Sequence, residues 1–253
     1  MTGISVVKGL WIGDALSEIE ILSIKSFQKQ GHIFELFTYG EVKNIPPKTV
    51  VRDGNEILDK KEIFKFKDSY LPFSDLFRYK LMYDEGGIWV DLDMICIQPF
   101  IFKDKFIFSS ERTKQKGAFA SLLEETPSNN ILKSEPKESF YLELFSKCFL
   151  NRKNVKKNTQ FLVYMKELIS KYEYEDYVKP AQFFNPIDWW NCKEFLYSRA
   201  ESFPSKYGTT AYTREDVLKS CYSIHMWRNL IKKKNLSLDN SLSLYKILYN
   251  KIM

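Results

Sequence analysis

An α/β fold with a parallel first half is the class this sequence predicts. Short apolar runs alternate with segments of helical period through roughly the first hundred residues, the order expected of a sheet with crossover helices. One of those runs, Gly87-Ile88-Trp89-Val90, has the apolar, branched and aromatic character of a buried strand. The chain has 253 residues, 44% hydrophobic and 28% charged, which is enough to bury a sizeable core in one domain. In such sheets ligands collect beyond the carboxyl ends of the strands.

Taken in order, residues 4–12 form the first predicted strand. Residues 16–29 follow as an amphipathic helix whose buried stripe is Leu16, Ile19, Leu22 and Phe27, and residues 33–38 as the second strand. Pro72-Phe73-Ser74 reads as a helix start with Ser74 as N-cap. Leu76, Phe77, Leu81, Met82 and Tyr83 give that helix its apolar surface, and Gly86-Gly87 ends it. The Gly87-to-Val90 strand comes next. Beyond it, residues 106–110 and 118–122 read as strands, and residues 139–150 and 158–172 as helices separated by the basic stretch 152–157. No internal repeat or low-complexity linker interrupts the chain. We expect a single domain over residues 1–253, with a helical insertion at about 137–172 and an amphipathic tail at about 228–253.

Composition removes several function classes. No run of about 18 apolar residues exists, and the N-terminal segment is too short and too poor in cations for a secretory signal, so a cytoplasmic location is expected. The four cysteines, Cys96, Cys148, Cys192 and Cys221, are widely spaced, which argues for reduced, buried thiols rather than structural zinc. With only His32 and His225, a His-rich metal centre is also excluded. Neither Gly-x-x-x-x-Gly-Lys nor Gly-x-Gly-x-x-Gly occurs, so kinase and dinucleotide-enzyme readings drop out. The net charge of +6 gathers at residues 60–67, 152–157 and 228–234, patches that attract phosphates or an anionic surface; nucleic acid is not an expected partner.

Chemistry concentrates where the predicted helix meets the buried strand. Strand alternation would put Asp91 and Asp93 on one side with Leu92 opposed. A hard cation such as Mg²⁺ or Mn²⁺ takes a few carboxylates and fills its other positions with phosphate oxygens and water, so this pair can hold a nucleoside diphosphate through the metal. On the helix, Asp75 and Arg78 are three residues apart and neighbours on its surface. There an Arg can clamp phosphate or sugar oxygens and an Asp can accept from sugar hydroxyls. The alternative for these two is an ordinary ion pair beside an ordinary turn.

Ser74-Asp75-x-x-Arg78-Tyr79, a helix, and Gly86-Gly87-Ile88-Trp89-Val90-Asp91-Leu92-Asp93 resemble the central motif of the glycosyltransferases with an Asp-x-Asp sugar-binding region, the family 32 group. That group includes bacterial capsule and lipopolysaccharide transferases and is related to the catalytic domains of large glucosylating toxins. Gly9-Leu10-Trp11-Ile12-Gly13 is similar to the family's opening strand, whose Trp stacks on the nucleotide base, and Tyr222-Ser223-Ile224-His225-Met226-Trp227 to its late strand near the diphosphate. The resemblance implies a GT-A type, Rossmann-like nucleotide-sugar fold with helical additions, and a hexose moved with retention from a nucleoside-diphosphate sugar, such as a UDP-sugar, to a glycan acceptor. It implies Asp93 as the principal ligand of Mn²⁺ or Mg²⁺, with Asp91 acting through metal-bound water and on the donor. Asp75, Arg78 and Tyr79 then fall on the donor sugar and phosphate, Trp11 and Gly13 on the nucleotide, and His225 on metal or diphosphate.

Weaker candidates lie in the second half. Phe183-Phe184-Asn185-Pro186-Ile187-Asp188-Trp189-Trp190 gathers aromatics beside an amide and a carboxylate, as carbohydrate sites do, and Asn185, Asp188 and Trp189 are the candidate acceptor contacts. Phe183 and Phe184 read equally as core. In the tail, Lys232-Lys233-Lys234 precedes Leu242, Leu244, Tyr245, Ile247, Leu248 and Ile252. That pattern fits peripheral contact with a membrane carrying a lipid-linked acceptor, and it fits equally a helix capping the core. Two other functions compete. A haloacid-dehalogenase-type phosphatase also ends a strand in Asp-x-Asp, but it expects Thr or Val two residues after the second Asp and a late acidic pair; Met94-Ile95 follow here, and no such pair occurs. A non-catalytic carbohydrate-binding or membrane-surface protein suits the 16% aromatic content but leaves Asp75, Arg78, Asp91 and Asp93 unexplained.

Overall fold

A computed structural model describes residues 5–114, 123–198, 202–203, 212–236 and 243–253. In chain order its elements are β1 (Val6–Leu10), α1 (Glu18–Lys29), β2 (Ile33–Thr38), β3 (Val50–Asp53), α2 (Leu71–Asp84), β4 (Gly87–Val90), β5 (Met94–Cys96), β6 (Ile107–Lys114) and β7 (Leu123–Ser134). There follow α3 (Ser139–Asn151), α4 (Gln160–Lys171), α5 (Ala181–Phe184), α6 (Cys192–Tyr197), β8 (Ser202–Phe203), β9 (Tyr212–Thr213), α7 (Arg214–Ser220), β10 (Ser223–His225), α8 (Arg228–Lys233) and α9 (Leu244–Ile252).

The central sheet has the order β3-β2-β1-β4-β7-β6. Its first four strands are mutually parallel, β7 runs against them and β6, antiparallel to β7, runs with them, so the expected α/β class holds. From β1 the chain moves one way through α1 to β2, then returns through α2 to β4 on the other side of β1. The crevice between the carboxyl ends of β1 and β4 is therefore the topological switch point, where an open sheet admits a ligand. Trp11 follows β1 there and Asp91 follows β4.

Local chemistry explains the elements that frame this crevice. Ser17 caps α1, its backbone N–H donating to Glu20 Oε2 at 2.7 Å. Helix α2 starts at Leu71, three residues before the expected cap, because Pro72 fits a first helical turn without losing a hydrogen bond. Ser74 therefore lies inside the helix, where its Oγ accepts from Arg78 at 3.1 Å. Gly86 ends α2 at φ +58°, and a Cβ there would lie 2.6 Å from the Pro136 nitrogen, so no larger residue fits the turn into β4.

Two features were not expected. Asp91 and Asp93 do not share a strand: β4 stops at Val90, and a turn closed by Met94 N–H donating to the Asp91 carbonyl (3.3 Å) leads into β5. The turn, not strand alternation, brings both carboxylates to the cleft while Leu92 packs into the core, 8% exposed. The second feature is β7 itself. Its pairing with β6 jumps from Phe108↔Leu132 to Ser109↔Ser128, which leaves Asn129, Asn130 and Ile131 as a bulge. The strand expected at 118–122 lies outside the described residues, as do Ile4 and Leu242.

Packing divides the helices. Phe73, Phe77 and Leu81 of α2 meet Trp89, Phe108 and the buried residues of α3 and α4 in one cluster. A second cluster joins α1, α6, α9 and the antiparallel ribbon β5–β10. The four cysteines are free and buried. The expected tail stretch, residues 228–236 and 243–253 as described, forms α8 and α9; Leu244, Tyr245 and Leu248 of α9 turn inward, and Tyr245 Oη donates to Glu18 at 2.6 Å.

Candidate active site

A cleft of about 970 Å³ opens at the switch point and is lined by Trp11, Arg78, Asp91, Asp93, Asn130 and His225 among others. Asp93 is held from behind. Its Oδ2 lies 3.1 Å from His225 Nε2 and accepts the Arg228 backbone N–H at 2.9 Å. The ribbon makes this possible, because register His225↔Met94 sets the imidazole beside Asp93. Burial alone would raise the Asp93 pKa; His225 and the Arg228 N–H outweigh it, and the carboxyl is held below its usual range. The same pairing lifts His225 above its ordinary value against the opposing effect of burial.

Asp91 is anchored through Oδ1, which meets Arg78 at 3.0 Å and accepts Trp89 Nε1–H at 2.8 Å. Burial, aided by the neighbouring Asp93, raises its pKa against the pull of Arg78. Asp91 Oδ2 and Asp93 Oδ1 take no partner among the described residues, so each carboxylate keeps an open oxygen at the cleft. His225 has neither nitrogen open: Nδ1 lies 3.2 Å from Asn130 Nδ2 and Nε2 is on Asp93. As placed it positions Asp93. Among the described residues, no three His, Cys, Asp or Glu side chains converge as a metal cage.

Asp75 and Arg78 meet at 3.4 Å, both almost fully buried. Arg78 lines the cleft while donating to the Asn129 carbonyl at 2.6 Å, and its guanidinium lies 4.9 Å from the Trp89 ring. Burial would depress this cation; Asp91 and Asp75 hold it above its ordinary value. Asp75 sits behind Arg78, where Asn129 Nδ2 donates to its Oδ1 at 2.9 Å and to Tyr79 Oη at 2.8 Å. Tyr79 is fully buried beneath this pair.

At the β1 side, the Trp11 indole carries the Arg228 guanidinium 4.9 Å from its ring, and Arg228 pairs with buried Glu20. Gly13 lies beneath the indole, where a Cβ would stand 3.1 Å from Nε1. Trp227, at φ +57°, turns the chain sharply after His225, and its ring lies 4.0 Å from the imidazole, tilted by 32°. The expected acceptor residues separate. Trp189 lines the cleft, 40% exposed. Asn185 and Asp188 are buried: Asn185 Oδ1 accepts from Asn130 at 2.7 Å, and Asp188 pairs with Arg112 at 2.8 Å.

The sequence reading did not single out Asn129, Asn130 and Glu111, which line the cleft, and it took Arg228 only as part of a basic patch. The two asparagines had a signal, since adjacent Asn before Ile131-Leu132 is unusual for a strand and marks a break in the ladder. Arg228 acts through its backbone N–H, which has no sequence signature.

Residues 20–114, which include Asp75, Arg78, Asp91 and Asp93, match the family described as glycosyltransferase sugar-binding region containing DXD motif. No curated protein matches the chain. Among solved structures it is similar to the PaToxG glycosyltransferase, at 13% identity and TM-score 0.48, over 66% of this chain and 68% of that one. It is also similar to the apo form of the glycosyltransferase GlyE of Streptococcus pneumoniae TIGR4, at 12% identity and TM-score 0.37, over 71% of this chain and 46% of that one.

Proposed function

We propose that this enzyme, which carries the sugar-binding region of a glycosyltransferase, moves a hexose from a nucleoside-diphosphate donor, a UDP-sugar, to a glycan acceptor with the help of a divalent cation. The observation that carries the reading is that Asp91 and Asp93 line one cleft with Trp11 at the switch point, each with a carboxylate oxygen, Asp91 Oδ2 and Asp93 Oδ1, that takes no partner among the described residues. Mg²⁺ and Mn²⁺ need only one or two carboxylates alongside diphosphate oxygens and water, so the donor set fits although no closed cage exists among the described residues. Bound there, the cation would neutralise charge developing on the departing diphosphate.

The chain's own groups do the rest. Asp93 is kept ionised by His225 and the Arg228 N–H and offers its open oxygen as principal ligand, with Asp91 beside it. Arg78 supplies fixed positive charge in a largely water-excluded position, where it acts without reorganising. Asp75, locked with Tyr79 by the Asn129 amide, pairs with Arg78 from behind and holds it in place; fully buried, neither Asp75 nor Tyr79 lines the cleft, so the expected contacts of these two with the donor sugar give way to a positioning role. Trp11, which lines the same cleft, is the group for the nucleotide base. Retention of configuration and a GT-A label rest on the motif resemblance, and so does a role on a lipid-linked bacterial capsule or lipopolysaccharide glycan at the inner membrane face.

Incubation with Mn²⁺ and UDP-glucose, UDP-galactose, their N-acetyl forms or GDP-mannose tests the reading, with proton NMR of the product expected to show a retained anomeric linkage. Asp93→Asn keeps the shape and removes the charge. Its activity should fall by about two orders of magnitude or more and lose its response to metal. Near-normal, metal-responsive activity in that variant would contradict the assignment.

A further inference from the structure

The order β1, β4, β7, β6 across the sheet sets four stations along one cleft. Trp11 stands at β1, Asp91 and Asp93 beyond β4, Asn129 and Asn130 on β7, and Glu111 on β6; of these, all but β6 serve the donor reading above. Neighbouring strands lie about 4.8 Å apart, so three intervals separate the first station from the last by roughly 14 Å. A nucleoside diphosphate with its base at Trp11 and its phosphates at Asp91 and Asp93 therefore points its sugar at β7. The station at β6 is left for whatever receives that sugar.

Glu111 is the polar group waiting there. It lines the same cleft, half-buried, two residues along the strand from Ser109, whose Oγ donates to Asn130 Oδ1 at 2.6 Å. Strand alternation sends Ser109 and Glu111 to the same face, while Ser110 and Arg112 turn away to the Lys179 carbonyl and to Asp188. Glu111 makes no hydrogen bond or ion pair among the described residues, whereas Asp91, Asp93 and Asp188 are each anchored. Burial raises its pKa, and the charged groups that face it, His225 and Lys166, pull it back down. Thr159 and Leu162, at the start of α4, and Trp189 line the same cleft. An exposed indole and an unpartnered carboxylate lining one cleft suit a sugar ring, with an apolar face for the ring and a carboxylate for its hydroxyls.

We propose that this end of the cleft is the acceptor subsite and that Glu111 accepts a hydrogen bond from an acceptor hydroxyl next to the attacking one, which selects an uncharged, hydroxyl-bearing sugar. In the transfer, the attacking oxygen bonds to donor C1 as the C1–O bond to the diphosphate breaks. The electron pair leaves with the diphosphate, and the attacking hydroxyl's proton passes to that departing oxygen. Glu111 takes no proton; it fixes the ring so that the attacking oxygen faces C1. An anionic acceptor sugar would be repelled by this carboxylate. Asn185 and Asp188 act beneath the subsite, holding Asn130 and Arg112.

This assignment rests on the transferase reading, and the two fail differently. The probes are octyl β-glucoside, octyl β-galactoside and octyl β-N-acetylglucosaminide, with the UDP-sugar that the wild type cleaves and Mn²⁺. Glu111→Ala should raise the acceptor KM at least tenfold and lower the ratio of transfer to donor hydrolysis by a similar factor, with nucleoside-diphosphate binding, read by Trp fluorescence, within twofold. Glu111→Gln, which keeps an acceptor oxygen, should fall between. Monodeoxy acceptors supply a readout that a structural role would not move: the analogue lacking the bonded hydroxyl should cost the wild type tenfold or more and cost Glu111→Ala nothing further. An unchanged acceptor KM, equal losses in transfer and hydrolysis, or no transfer to any of the three sugars by a wild type that cleaves donor would overturn the proposal. A wild type that cleaves no donor overturns the parent reading, and this one with it.

Discussion

Asp75 carries a charge that the fold resists. It is fully buried, and its Oδ2 has no partner among the described residues. Its pKa is pushed up to about 7 by burial, with Arg78 and Asn129 opposing and Asp91 adding to the rise. A carboxyl raised in the folded state keeps a proton that the unfolded chain gives up near pH 4. Its contribution in favour of folding is thus fully present below about pH 4 and lost as the pH climbs through about 7. The interval of about three pH units corresponds to roughly 4 kcal/mol. Asp75→Asn is neutral throughout, so its stability relative to wild type should be near parity at pH 4 and rise by a few kcal/mol by pH 8, while activity is lost. Urea unfolding at pH 4, 6 and 8 reads this directly, and a difference that stays constant with pH would show that Asp75 does not titrate across this window.

At the scale of elements, the β7 bulge decides which side chains meet. Asn129 bridges Asp75 to Tyr79 and gives its carbonyl to Arg78; Asn130 gives its carbonyl to Asp91 N–H at 2.9 Å and its side chain to His225 and Asn185. Removing the Asn129 amide leaves a buried carboxyl and a buried phenol short of a donor. Asn129→Ala should therefore cost about 1–3 kcal/mol in urea unfolding and lower kcat by about tenfold or more; a variant as stable and active as the wild type would mean the bulge is incidental. Asp75, Arg78, Asp91 and Asp93 were legible in the sequence because caps, glycines and spacing act over a few residues. The bulge was not, because it exists only in the register between β6 and β7. The turn that presents Asp91 and Asp93 was misread for a related reason: Met94-Ile95-Cys96 continues the apolar run, and only pairing with β10 pulls it into a separate ribbon.

For the whole molecule, the question is what the C-terminal segment does. Among the described residues no helix is long and apolar enough to cross a membrane. Periodicity could not say which surface α9 covers, since a core and a lipid interface present the same apolar demand. In the folded chain Leu244 is 1%, Tyr245 0% and Leu248 5% exposed, packed with α1 and α6. The apolar stripe is already in use, and attraction to an anionic bilayer would fall to Lys232, Lys233 and Lys234. Two of these, Lys232 and Lys233, also line the cleft, so a phosphate-bearing surface would compete there with the donor. Leu248→Ala separates the roles: lost burial and the cavity left behind cost about 2–4 kcal/mol, a fall of roughly 5–12 °C in Tm for a chain of this size. Sedimentation with phosphatidylglycerol vesicles at a temperature where both proteins are folded should not change. If the variant melts with the wild type and its vesicle binding drops, α9 is a membrane foot and its packing against α1 is secondary.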